Sequence, residues 1–108
     1  MPALDLLSAV INVSTATTTT LVASVTGKRI QVYAILIQSA GIQNVVFRDS
    51  TPTTLWPSTD LTARERLFLP LVADANYPYM ITAVGTSFQV VTIAAVPVSG
   101  RVYYSIEI

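Results

Sequence analysis

The segment RIQVYAILIQS, residues 29–39, decides the fold class. It is rich in Val, Ile and Tyr, which suit a pleated, partly buried surface. Its middle is apolar on both faces, the mark of a central strand. Upstream, TTTTLVASV (residues 17–25) is a second run rich in Thr and Val, ending at Thr26-Gly27-Lys28. Downstream, Ala40-Gly41 reads as a tight turn. A strand over Ile42–Arg48 follows, with Val45 and Phe47 on one face and Asn44 and Arg48 on the other.

The rest of the chain has the same texture. Asp49–Asp60 (DSTPTTLWPSTD) reads as a loop holding one short strand over Thr53–Trp56, because it carries two prolines and many turn formers. Arg66–Leu71 places Leu67, Leu69 and Leu71 on one face, and Pro70 opposite them marks an edge strand. Asp74–Pro78 is a further turn. Strands are expected over Tyr79–Val84 and Thr86–Ala95, flanking Gly85, with a turn at Val98-Ser99-Gly100. The final segment alternates: Val102, Tyr104, Ile106 and Ile108 face in, and Arg101, Tyr103, Ser105 and Glu107 face out. About eight strands at short, regular spacing predict an all-β domain, either a β-sandwich or a small barrel. The domain is expected over residues 17–108. Residues 1–16 read as a first strand, a short helical turn or an arm ordered against a neighbour.

Charge is the unusual feature. Only 11% of residues are Asp, Glu, Lys or Arg, and mean hydropathy is +0.59. A typical soluble domain carries about 25%. So little charge leaves apolar surface that a free monomer would bury by associating. A membrane helix is not expected, because a span needs about 20 apolar residues in a row, and the charge-free stretch Ala75–Gly100 is broken by Asn76, Pro78, Gly85, Gln89 and Pro97. The start, MPALDLLSAV, has no early Lys or Arg and does not read as a secretory signal. Buried protein interfaces are the remaining reading of the charge deficit. Six basic and six acidic residues balance to zero, and Lys28-Arg29 and Arg64/Arg66 are too sparse for the basic stripe of a nucleic-acid binder.

Site chemistry is thin. The chain has no histidine and no cysteine, which removes the commonest general base, the Ser-His-Asp arrangement and any thiolate nucleophile or metal site. The acids Asp5, Asp49, Asp60, Glu65, Asp74 and Glu107 share no motif. Turn chemistry accounts for Asp49, Asp60 and Asp74; calcium at Asp49 and Asp60 is the sharper alternative, at a spacing unlike an EF-hand. The isolated glycines form no phosphate loop. No enzymatic activity and no cofactor are expected. Partner contacts are the better use of what remains. Trp56, beside Pro57 in a polar loop, is either an interface anchor or an aromatic folded back onto the core. Tyr77 and Tyr79 carry the same two readings. Arg64 and Arg66 read as intersubunit ion-pair partners or as ordinary surface charge. The threonine tract from Thr15 to Thr20 reads as an edge strand or the lead-in from an arm, and less well as a glycan- or ice-binding face.

From Thr17 onward, three segments carry a resemblance: TTTTLVASVTGKRIQVYAILIQSAG, IQNVVFRDS and GTSFQVVTIAAVPVSGRVYYSIEI. A threonine-rich strand leads through a Gly-Lys-Arg turn into a long apolar strand. A Phe-Arg-Asp strand end, a leucine-rich segment closing on proline and a Val-x-Gly-x-Val-x-Tyr strand complete the order. In this the chain resembles small structural proteins of bacteriophage particles, the capsid decoration or cement proteins. The resemblance implies a jelly-roll-like sandwich in the virion, made in the host cytoplasm. It also implies homotrimers or other symmetric clusters that clamp neighbouring major capsid protein subunits. No site residue is carried over by it. The alternative is a phage tail or fibre module binding a host-surface glycan, with Trp56, Tyr77 and Tyr79 as stacking rings.

Overall fold

The computed structural model describes residues 6–71 and 78–107. Nine strands follow in order: β1 (Leu7–Val13), β2 (Thr18–Val22), β3 (Arg29–Ser39), β4 (Gln43–Asp49), β5 (Thr54–Leu61), β6 (Arg66–Leu69), β7 (Met80–Ile81), β8 (Phe88–Thr92) and β9 (Val98–Glu107). They form two antiparallel sheets. The first has the order β1-β9-β3-β6, with β7 on the same side of β3 as β6; the second has the order β2-β8-β4-β5. The partners β1 and β9, β2 and β8, β3 and β6, and β4 and β5 nest inside one another along the chain. The whole is thus one long hairpin rolled into two layers, which is the jelly-roll order. The protein is an all-β sandwich.

The core lies between the layers. Ile11, Val13, Ile30, Val32, Ile35, Ile37, Val98 and Val102 come from the first sheet, facing Val22, Val45, Phe47, Leu61, Phe88 and Val90 from the second. Phe47 and Phe88 stack in the second layer with ring centroids 5.7 Å apart. In β4 and β8 every second residue is buried, which is why the period-2 reading located them.

Several expectations change. Leu7–Val13 is a strand, pairing in unbroken register with β9 from Leu7↔Tyr104 to Val13↔Val98. The Ala40-Gly41 turn leaves β3 in one sheet and enters β4 in the other, so it joins layers and closes no hairpin. The loop expected over Asp49–Asp60 is mostly strand: β5 pairs with β4 from Gln43↔Leu61 to Arg48↔Thr54, with two register shifts. Pro57 is tolerated there because β5 is an edge strand. Leu71 is exposed, since β6 ends at Leu69. Only Met80–Ile81 and Phe88–Thr92 are strands in the region expected to hold two longer ones. Val98-Ser99-Gly100 opens β9 and is not a turn.

Ser105 lies on the outer face, paired with Gln31, yet it is buried. The β3–β9 register shifts between Val32 and Ala34, so Tyr33 is an extra residue against β9. Such a bulge leaves two consecutive residues on one side of the strand. Tyr33 is itself buried, and its hydroxyl donates to Gln31 Oε1 at 2.8 Å. The Asp74–Pro78 turn and Ile108 fall wholly or largely outside the described residues.

Asp49 shows why an acid ends β4. Its Oδ1 accepts from Thr51 N (3.0 Å), Thr53 N (2.9 Å) and the Thr51 hydroxyl, and its Oδ2 accepts from Ala83 N at 3.2 Å. Burial raises its pKa, but these hydrogen bonds to the charged form outweigh that, holding it below the ordinary 3.8. A depressed folded pKa stabilises the fold above the unfolded value and loses that stabilisation as pH falls through the folded one. Asp49→Asn turns a donor toward Ala83 N and is expected to cost about 1–2 kcal/mol at pH 7. The gap to the parent should narrow as pH drops below 3.8. Thermal melts across that range check it; a gap that stays constant would remove the carboxylate from the account.

Candidate interaction surface

The two outer faces of the sandwich differ in chemistry. On the second sheet, polar side chains satisfy one another. Arg48 donates to Gln89 Oε1 (3.3 Å) and Thr18 Oγ1 (3.2 Å), and Asn44 Nδ2 donates to Ser58 Oγ (2.6 Å) and Asp60 Oδ1 (2.8 Å). The outer face of the first sheet carries a cluster of exposed apolar side chains. Strand register places Val10, Arg101, Leu36 and Phe68 in one row across β1, β9, β3 and β6, a span of about 14 Å at the usual strand spacing. Val10 is 62% exposed, Phe68 61% and Leu36 41%, and Tyr103 in the neighbouring row is 40% exposed. β3 is a central strand, as its sequence predicts, and Val32–Ile35 are buried on both of its faces; Leu36, next along it, is largely exposed.

The next row is Asn12, Ser99, Gln38 and Arg66. Shallow grooves run along it, lined by Gln38, Ser99, Arg64, Arg66 and Leu36. The expected pair Arg64 and Arg66 therefore lines these grooves next to the apolar row, and Arg101 lies within that row, between Val10 and Leu36. Arg101 donates to Ser8 Oγ at 3.0 Å. Among the described residues no carboxylate pairs with any of the three. Arg64 sits at φ 65, a left-handed conformation that glycine adopts more cheaply. Backbone bonds hold it there: Arg64 N donates to Ser39 O (2.7 Å), and Arg64 O accepts from Gln38 Nε2 (3.3 Å).

Trp56 lies elsewhere, on β5, half-buried against the core. Its ring meets that of Tyr79 edge-on, with centroids 6.3 Å apart and planes at 83°. Tyr79 is anchored by its hydroxyl, which donates to Pro70 O at 2.5 Å, and by Tyr79 N, which donates to Val32 O at 2.7 Å. The pair closes one side of the sandwich, so the core reading of Trp56 and Tyr79 is the one the packing favours. Tyr77 lies outside the described residues.

Among the described residues the acids form no shared site. Asp49 and Asn44 are five residues apart on β4, about 17 Å, and Asp60 pairs with Asn44. Asp49 and Asp60 therefore cannot hold one cation. Asp60 also lies in a strand and not in the turn expected of it. Glu65 Oε1 accepts from Thr62 N at 3.0 Å, closing the turn before β6. Among the described residues no cluster of His, Cys, Asp and Glu could hold a metal, and no helix is long and apolar enough to cross a membrane. No protein-family model, curated protein or solved structure matches the chain. The surface itself must therefore carry the functional argument.

Phe68, Leu36, Val10 and Arg101 did not figure among the sequence candidates. One signal was present. The alternation that turns Leu67 and Leu69 inward assigns Phe68 to solvent; the patch it joins with Leu36 and Val10 is what marks a contact surface.

Proposed function

We propose that this chain is a structural virion protein, a decoration (cement) subunit that self-associates and binds the head shell of a bacteriophage through contacts with the major capsid protein. The observation that carries the reading is the outer face of the first sheet. Val10, Leu36, Phe68 and Tyr103 are exposed there, interspersed with or beside three arginines that lack carboxylate partners among the described residues. The accessible surface of 5926 Å² is close to the ~5,800 Å² of a compact monomer of this mass. Twelve charges on an ordinary surface leave much of it apolar. A jelly roll does not choose the role, since capsid and lectin domains both use it. The glycan-binding alternative draws less support, because Trp56 and Tyr79 pack on the core and on each other.

Phe68→Asp tests the reading. Phe68 is largely exposed on an edge strand, so the variant should keep its melting temperature within a few degrees. Binding to phage heads, read by co-sedimentation, should weaken at least tenfold, about 1.4 kcal/mol. A parent chain that stays in the supernatant would remove the shell role. A variant that binds like the parent would remove this face from it.

A further inference from the structure

The sandwich has four sheet edges, and they are not protected alike. The β5 edge carries Pro57 and two register shifts. The β2 edge has five residues and a shift between Thr20 and Val22. On the remaining edge of the first sheet, β6 has four residues and is followed by Pro70, while β7 has two. Short length, proline and bulges are the usual devices that stop an edge from pairing with another chain. β1 has none of them. It is seven residues, LSAVINV, without charge or proline, in unbroken register with β9. Its second row of N–H and C=O groups faces away from β9, and no bond from it to another described residue is present.

We infer that β1 is a strand-pairing edge whose occupant is β1 of a second copy, antiparallel across a two-fold axis at Val10. The segment is self-complementary in that register. On the outer face Val10 meets Val10, and Ser8 meets Asn12. On the inner face Leu7 meets Val13, and Ala9 meets Ile11. Apolar pairs with apolar, small polar pairs with amide, and no charges oppose one another, which is what cross-strand pairing rewards. Leu7, 50% exposed in the single chain, gains cover. The two first sheets become one, and the exposed apolar clusters on their outer faces join. A two-fold contact of this kind is isologous and closes on itself. The free chain is then a dimer and not the trimer that the resemblance implies. This holds whether or not the chain coats a shell.

The test needs only the purified chain. Light scattering coupled to size exclusion, at high micromolar concentration, should give twice the 11.6 kDa monomer mass. Val10→Lys sets two ammonium groups face to face on the axis at an exposed position, and should give the monomer mass with unchanged circular dichroism and a melting temperature that does not depend on protein concentration. The chain has no cysteine, so Val10→Cys introduces a single thiol on the axis. The Ala40 N–Pro97 O bond and the strand registers turn the Val10 backbone groups away from β9. Val10 therefore meets Val10 as a hydrogen-bonded pair, about 5.5 Å apart at Cα and within disulfide reach, and mild oxidation should link the dimer covalently. Ser8→Cys faces Asn12 in this register and should not link. A parent of monomer or trimer mass would overturn the proposal. So would a dimer that survives Val10→Lys, or a Ser8→Cys chain that cross-links as readily as Val10→Cys.

Discussion

Gly100→Ala is expected to destabilise the chain by about 3 kcal/mol or more, at or beyond the top of the range for overpacked cores. Gly100 lies inside β9, between Ile11 of β1 and Ile37 of β3. A Cβ there would stand 1.8 Å from Leu36 O and 2.8 Å from Ile37 Cα. These are backbone atoms of the neighbouring strand, so no side-chain rotation relieves the clash. Relief requires β9 and β3 to separate, which breaks the longest ladder in the protein. Gly41→Ala is the control, because its Cβ would meet only the Val96 side chain, Cγ1 at 3.1 Å and Cγ2 at 3.6 Å, and methyls can give way. For a domain of about this size each kcal/mol moves the melting temperature by roughly 4–8 °C. Gly100→Ala should therefore melt at least about 12 °C below the parent, or fail to accumulate. Equal melting of the two variants would mean that β3 and β9 do not approach this closely.

Gly100 also marks where sequence reading ran out. Local pattern located most strands, because alternation in segments such as Gln43–Asp49 follows from which side chains must reach the core. It could not say which sheet each strand joins. Ala40-Gly41 has the composition of a hairpin turn, yet β3 and β4 pair with different partners. A glycine before a strand and a glycine inside one read alike when the reason for it is the carbonyl of another strand. The same holds for Ser105. It pairs with Gln31, 74 positions away along the chain, and nothing in SIEI announces that it is buried there. Asp49–Asp60 failed for a different reason: two prolines outweighed a strand that lies on an edge, where proline is tolerated.

The interaction surface was half legible. Low charge announced that apolar surface would be exposed, but composition has no address. Arg64 and Arg66 were picked out as a pair. Their neighbours on the face come from β1, β3 and β9, and only the strand order β1-β9-β3-β6 assembles Val10, Arg101, Leu36 and Phe68 into one row. Trp56 drew attention for its chemistry, and its position opposite Phe47 in the β4–β5 register explains why it packs inward.

Gln43→Leu should cost about 3 kcal/mol, because one buried amide organises the connection from β8 to β9. Gln43 is 2% exposed. Its Oε1 accepts from Asn44 N (3.1 Å), Ile93 N (3.1 Å) and Ala94 N (2.9 Å), and its Nε2 donates to Ala94 O (2.7 Å) and Val96 O (3.3 Å). Leucine fills nearly the same volume, so packing is kept while five hydrogen bonds are lost. Each backbone group left buried and unpaired costs about 1–3 kcal/mol. Residue 93 is exposed, so water can recover part of that sum. The loss should be local as well as global: the Ile93 and Ala94 amides should exchange with solvent much faster in the variant, while those in the middle of β3 slow or quicken only with overall stability. If Gln43 acted by filling space, leucine would restore both stability and protection. A Gln43→Leu chain that melts with the parent and keeps these two amides protected would show that the 93–97 connection holds its shape without the side chain. In that case the exposed pair Ile42 and Ile93 at this end of the sandwich would owe its position to the backbone alone.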